Sequence, residues 1–332
     1  MKTRIIYWVL ASCILCSCHD QMQYYEVTGT DLYTPYHIKL EYNEPLDSAI
    51  EKEFHQCYHS INPFDSLSII SMINRNEDMH TDSLFRAVFN KAIEVGNKTD
   101  GMLDVTCAPF INLWGFGFKK MNNPTPEAID SIRSFVGFHK VKIENDIVVK
   151  EDPRTLLNFS ALGDGTMCDV VANLFEKKGI KNYMIEIGGE IMAKGVNPKG
   201  DCWHVGIVKP TYDSLGVHQE LQQVVRLCGK KGLATSGNYR NYHEKNGVKY
   251  GHTINPKTGY PAQQDILSAT IIADNCMTAD AYATAFMAMG REKAKLLKKK
   301  TPGIEYFIIY ADKKGKFCTE YSKGFTQYLV EK

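Results

Sequence analysis

Apolar positions along the chain alternate between a period of two and a period near 3.6, and that alternation predicts most of the secondary structure. Residues 36–42 read as a strand. Ile50, Phe54, Cys57, Tyr58 and Ile61 fall at helical spacing, and Pro63 predicts the stop. A second helix follows Asp82, with Leu84, Phe85, Val88 and Phe89 as its apolar stripe. Two alternating runs, 141–143 and 147–149, flank the polar Glu144-Asn145-Asp146 and predict a hairpin. Residues 165–178 predict a helix with Val170, Val171, Leu174 and Phe175 inward and Gly179 as its stop. Strands are expected at 183–187, 204–208, 224–227, 267–273 and 305–310, and helices at 278–289, ending at Gly290, and from 292 to about 300. The alternation is irregular, which favours α+β over a doubly wound sheet. No repeat and no low-complexity linker divides the chain, so one catalytic-size unit is expected.

Ahead of that pattern, Lys2 and Arg4 precede an apolar run at 5–15. Eleven residues are too few to cross roughly 30 Å of hydrocarbon as a helix, so the run reads as a secretory signal. It ends in Leu15-Cys16-Ser17-Cys18, which resembles the bacterial lipobox. The expectation is a signal peptide over 1–17, a lipid-anchored tether over 18–35 and a domain over 36–332, exported and held to a membrane through Cys18 on the periplasmic side. Each buried acyl methylene contributes about 0.8 kcal/mol to such an anchor. A plain cleaved signal peptide is the alternative.

The 39 basic and 38 acidic side chains leave a net charge of +1, which removes any global field drawing the protein to nucleic acid. Lys298-Lys299-Lys300 ends a helix, where cations suit the dipole and the solvent. Beyond Cys18 the cysteines are Cys57, Cys107, Cys168, Cys202, Cys228, Cys276 and Cys318. Their wide spacing, without a C-x-x-C pair, argues against a zinc site and leaves one or two bridges open but unassigned.

Four stretches offer chemistry. Asp280 and Thr284, four apart on a helix, put a carboxylate and a hydroxyl on one face, a hard-oxygen pair that suits Mg²⁺ as well as an ordinary exposed surface. The stretch from Asn158 to Thr166 carries Gly163 and Gly165 from a strand into a helix, as an anion cradle or as a plain turn; it lacks the lysine of a Walker loop. Residues 101–118 interleave aromatics with glycine, as a stacking wall or as a core turn. Thr235-Ser236-Gly237, with Asn238 and Tyr239 after it, and the turn from His252 to Gly259 complete the set.

In this order along the chain the segments resemble the ApbE family of flavin transferases. The matches run from Thr28-Gly29-Thr30 through residues 60–74, Leu103-Asp104-Val105-Thr106, Asn112-Leu113-Trp114-Gly115-Phe116-Gly117, and residues 158–166. They continue through Ile187-Gly188-Gly189-Glu190, Thr235-Ser236-Gly237, the turn from His252, and residues 277–284. The resemblance implies a T-fold-related, two-lobed α+β fold with mixed or antiparallel sheets and a flavin-nucleotide cleft. It also implies an Mg²⁺-dependent FAD:protein FMN transferase that moves FMN from FAD to a threonine of a target protein, with Rnf- and Nqr-type redox subunits as the implied acceptors. By position it places Thr28, Asn62, Met102, Leu103, Asp104, Asn158, Asp164 and Ile254 on FAD, and the Ala161 carbonyl with Asp280 and Thr284 on Mg²⁺. His252 is the candidate base. Thr28, Asn62, Asn158, Asp164, Thr166 and Ala283 depart from common family residues, so FAD hydrolysis to FMN and AMP, or flavin binding without turnover, stand as competing readings.

Overall fold

A computed structural model describes residues 22–330, apart from 33, 118–120, 122–123, 211–219, 239–241, 246–247 and 264, and describes only the backbone of 242–245 and 248–250. The apolar run at 5–15, Cys18, Phe118 and Tyr239 lie outside the described residues. The chain opens with strands β1 (Gln23–Asp31) and β2 (Thr34–Tyr42) and helices α1 (Asp47–Ile61), α2 (Ile69–Arg75), α3 (Ser83–Lys98), α4 (Ala108–Leu113) and α5 (Pro126–Arg133). Next come β3 (Val141–Glu144), β4 (Ile147–Lys150), α6 (Gly163–Lys177), β5 (Tyr183–Ile187), β6 (Glu190–Lys194), β7 (Trp203–Val208), β8 (Leu221–Leu227) and β9 (Lys231–Gly237). The remainder is β10 (Tyr242–Lys245), β11 (Val248–Gly251), β12 (Ile266–Ala273), α7 (Cys276–Met289), α8 (Arg291–Lys300), β13 (Ile304–Ala311), β14 (Phe317–Tyr321) and a final 3₁₀ turn. None of the described helices is long and apolar enough to cross a membrane.

Eight strands form one sheet in the order β1-β2-β5-β6-β9-β12-β13-β14. Each neighbouring pair is antiparallel, so the sheet is not mixed. One face carries α1, α3, α6 and α7. The opposite face is covered by the β7–β8 hairpin and the C-terminal turn. Strand β12 is buried on both faces for this reason, which is why it reads as a continuous apolar run. Helix α7 is apolar almost all round because it lies between the sheet and its helical neighbours.

The local signals act as physical chemistry requires. Asp82 caps α3 by accepting from the Phe85 N–H at 2.7 Å. Asn145 and Asp146 both take positive φ, the geometry of a two-residue turn between β3 and β4. Two expectations are corrected, and one left open is filled. The stretch expected as tether is, from Gln23 onward, an edge strand paired residue for residue with β2. The segment before α6 is not a strand, and α6 starts at Gly163, ahead of the second glycine. Cys202 and Cys228 form a disulfide at the open end of the β7–β8 hairpin, while Cys57, Cys107, Cys168, Cys276 and Cys318 are free.

Candidate active site

The site is built where α6 meets α7. A Cβ on Gly165 would lie 2.7 Å from the Cys276 carbonyl oxygen and 2.8 Å from Asp280 Cβ, so glycine is what lets the two helices approach this closely. The Gly165 N–H donates to Asp280 Oδ2 at 3.2 Å. One turn along α6, Asp169 accepts from the Cys276 and Met277 N–H groups, each at 2.9 Å, and Asn275 accepts from the Thr278 N–H at 2.9 Å. The first amides of α7, which have no partner inside the helix, are thereby satisfied. With its helix fixed, Asp280 projects into the same cavity as Thr284, whose Oγ1 lies 3.1 Å from Ser236 Oγ on β9.

Two loops close the site from the other side. The Asn158 N–H donates to the Val105 carbonyl at 2.7 Å, and Asn158 Oδ1 accepts from the Ser160 N–H at 2.7 Å. Asp104 uses both oxygens on backbone and hydroxyl donors: Oδ1 accepts from the N–H and hydroxyl of Thr106 on its own loop at 2.8 and 2.6 Å, and Oδ2 from the N–H of Phe138, beyond α5, at 3.0 Å. Burial pushes the Asp104 carboxyl up, those bonds opposing it. Asn255 accepts from the Lys257 and Thr258 N–H groups and shapes the turn after His252. Trp114 donates its indole N–H to the Gly259 carbonyl at 2.9 Å. Trp114 is therefore a buried pin for that turn, and the core reading of the aromatic–glycine segment holds for it. Phe116 sets its edge against the His252 ring, with centroids 6.4 Å apart.

Three adjoining cavities share Ser160. The smallest, 190 Å³, brings together Met102, Leu103, Asp104, Asn158, Ala161 and Ile254 with His252 and Thr284. A 660 Å³ cleft holds Asp164, Asp280, Thr284 and His252. A 910 Å³ groove holds Asn62 and Asp164. Every sequence-predicted site residue except Thr28 thus lines this connected space; Thr28 is exposed on β1 and lines none of the three. Asn62 accepts from the Phe64 N–H at 2.9 Å, and Thr166 is buried with its hydroxyl on the Leu162 carbonyl, away from these cavities. Ser160, Glu190, Ser236 and the helix clamp Asp169 received no role from the sequence. For Ser160, Glu190 and Ser236 the signal was adjacency to glycine or to an assigned residue, which does not say where a side chain points, and Asp169 carried no such signal.

The electrostatics ask for a cation. Burial, then the nearby Glu190 and Asp164, push Asp280 well above the usual carboxylate range, and burial pushes Asp164 up to about 6. Among the described residues lining the 660 Å³ cleft there is no lysine or arginine to offset these carboxylates. A divalent cation held by Asp280, Thr284 and the Ala161 carbonyl fits that deficit, with its remaining positions left for water or phosphate oxygens. Among the described residues no three His, Cys, Asp or Glu side chains form a metal cage.

The sequence pattern of the ApbE family matches residues 32–308. The chain belongs to the ApbE family. It is 33% identical over 291 residues to the FAD:protein FMN transferase of Vibrio cholerae, covering 84% of this chain and 86% of that one. It is also 33% identical over 335 residues to the FAD:protein FMN transferase of Haemophilus influenzae, covering 96% and 95%. The solved ApbE flavin transferase of Vibrio cholerae superposes with a TM-score of 0.82 at 30% identity, over 93% of this chain and all of that one. The ApbE fold expected from the motif order is therefore the fold observed.

Proposed function

We propose that this ApbE chain is an FAD:protein FMN transferase. The observation that carries the reading is the convergence of Asp280, Thr284 and His252 on the 660 Å³ cleft, with the Ala161 carbonyl segment reaching the same point through the adjoining cavity. An acceptor hydroxyl oxygen bonds to the FMN phosphorus while the bond from that phosphorus to the bridging oxygen breaks. AMP leaves with that oxygen and its electron pair. Such a transfer needs positioning and charge neutralisation more than covalent help.

Asp280, Thr284 and the Ala161 carbonyl would hold Mg²⁺, which when bound supplies the positive charge that the diphosphate needs. His252 lies between the two cavities and takes the proton of the acceptor hydroxyl. The 190 Å³ and 910 Å³ cavities, with Met102, Leu103, Asp104, Asn158 and Ile254 in one and Asn62 in the other, receive parts of FAD. The acceptor is a threonine of a redox protein of the Rnf or Nqr type. The lipobox-like Leu15-Cys16-Ser17-Cys18 supports anchoring of the mature chain through Cys18 at the periplasmic side of a membrane.

The test is incubation with FAD, Mg²⁺ and membranes lacking their own transferase, followed by in-gel flavin fluorescence. AMP release without a fluorescent protein band assigns hydrolysis instead; no AMP in any condition assigns a binding protein.

A further inference from the structure

The chain enters the main sheet at a corner away from the catalytic groups. Strand β1 begins at Gln23, opposite Tyr42 at the end of β2; Leu40 pairs with Tyr183 at the start of β5, and Tyr183 with Lys194 at the end of β6. The segments at these strand ends are tied together. Tyr24 donates its hydroxyl to the Val196 carbonyl at 2.7 Å, Asn182 Oδ1 accepts from the Val196 N–H at 3.0 Å, and the Asn182 amide donates to Glu41 Oε2 at 2.6 Å. Helix α6 joins this corner to the site. Its first residues, Gly163 and Asp164, line the 910 Å³ groove. Its 15 residues span about 22 Å and end in Lys177, next to Lys178, whose Nζ lies 3.6 Å from Glu44 and 5.9 Å from the centroid of the Tyr42 ring.

Charge is divided between the two ends of a chain whose net charge is only +1. Asp164, Glu186, Glu190 and Asp280 line the 660 Å³ cleft, with no lysine or arginine among its described residues. The corner carries lysines. Lys178 engages Glu44, and Glu176 is shared by Lys194 at 2.8 Å and Lys230 at 3.4 Å, while Asp201 lies 3.8 Å from His204. Lys177, Lys181 and Lys199 are exposed and make no ion pair among the described residues. Met22 and Val196 are exposed at the same corner.

Cys18 precedes Gln23 by five residues. Fully extended, that length reaches about 17 Å, less than the length of α6, so an anchor at Cys18 holds this corner near the bilayer. Charge then selects the tilt. An anionic headgroup layer attracts the unpaired lysines and repels the carboxylates of the cleft. Resting on the Cys18 anchor reading, we infer that the end of α6 with the segments before β5 and after β6 is a docking surface for anionic phospholipid headgroups. It seats Lys177, Lys181 and Lys199 on the membrane and turns the catalytic cleft to the aqueous side, from which FAD enters.

The test uses the full chain as matured in bacterial cells, reconstituted in vesicles of equal parts phosphatidylcholine and phosphatidylglycerol and in vesicles of phosphatidylcholine alone. Lysines are acetylated with a water-soluble reagent and read by peptide mass spectrometry, which also weighs the N-terminal peptide for acyl chains on Cys18. Lys181 and Lys199 are expected to react at least about fivefold more slowly in the anionic vesicles, where headgroups cover them and keep them protonated. Lys313 and Lys314, on the β13–β14 turn at the other edge of the sheet, are expected to react equally in both. The double variant Lys181→Glu, Lys199→Glu is expected to remove the protection of Lys177. An acylated Cys18 with equal reaction of Lys181 and Lys199 in both vesicles overturns the docking surface and leaves the anchor standing, as does protection that falls on Lys313 and Lys314 instead. Protection of Lys177 that survives in the double variant overturns it too. A Cys18 without acyl chains, on a chain that washes off both vesicles, brings down the anchor and the inference together.

Discussion

Gly165 donates its N–H to Asp280 Oδ2 at 3.2 Å across the α6–α7 contact, and the absence of a side chain at 165 is what makes that bond reachable. One position thus couples helix packing to the orientation of the proposed metal carboxylate. Gly165→Ala forces its new methyl against the Cys276 carbonyl and Asp280 Cβ, so it is expected to cost about 1–3 kcal/mol of stability and to slow FMN transfer. A urea midpoint equal to that of the parent would show that the helices are not in close contact there.

Asp280 is buried, yet its removal takes away a desolvated charge as well as a hydrogen bond, so the fold should survive. Asp280→Ala is expected to lower Mg²⁺-dependent transfer at least about 100-fold with a melting temperature near the parent's. Transfer at the parental rate would remove Asp280 from the metal set.

Asp169 provides a pH signature. Burial holds its carboxyl up at about 6 against an ordinary 3.8, so between those values the folded chain binds more protons than the unfolded one. Stability therefore falls as pH rises across that window and is level above it. Asp164, also raised to about 6 by burial, adds a fall of the same sign. In Asp169→Asn the loss between pH 4 and pH 7 should shrink by on the order of 2 kcal/mol, read from urea midpoints at the two pH values. Identical losses in parent and variant would mean that Asp169 is ionised throughout.

Asp104 meets two donors of Thr106 on its own loop and the Phe138 N–H from beyond α5, so its effect on ligand is through position. Asp104→Ala frees Thr106 and Phe138 and is expected to weaken FAD binding about tenfold in a fluorescence titration. An unchanged titration curve takes residue 104 off the FAD surface.

The Cys202–Cys228 bridge closes a separation of 26 residues, which in the chain-entropy account contributes about 3 kcal/mol. Reduction should lower the melting temperature while transfer measured at room temperature persists, because the bridge joins β7 and β8 and touches neither α6 nor α7. A melting curve indifferent to reductant would show that the bridge does not form in solution.

Elements whose apolar pattern is set by one covering layer were legible from sequence: α1, α3, β5 and the β3–β4 hairpin fall within a few residues of expectation. Strand β9 was not, because Gly232, Thr235, Ser236 and Gly237 carry no strand-like pattern and their extended form is imposed by β12. Strand β1 reads as a tether because it is an edge, mostly exposed, and held by pairing with β2. At the site, the Asp280–Thr284 spacing could be read directly, whereas the Asp169 clamp and the opening beside β9 arise from contacts between segments far apart in sequence. Motif order supplied what periodicity could not.

The most direct measurement is FMN attachment to membrane protein from FAD, followed by in-gel fluorescence with Mg²⁺ present and after its chelation. A fluorescent band that appears with equimolar AMP, vanishes on chelation and returns when Mg²⁺ is restored is the expected result. AMP without a band, or a band indifferent to chelation, would contradict the account.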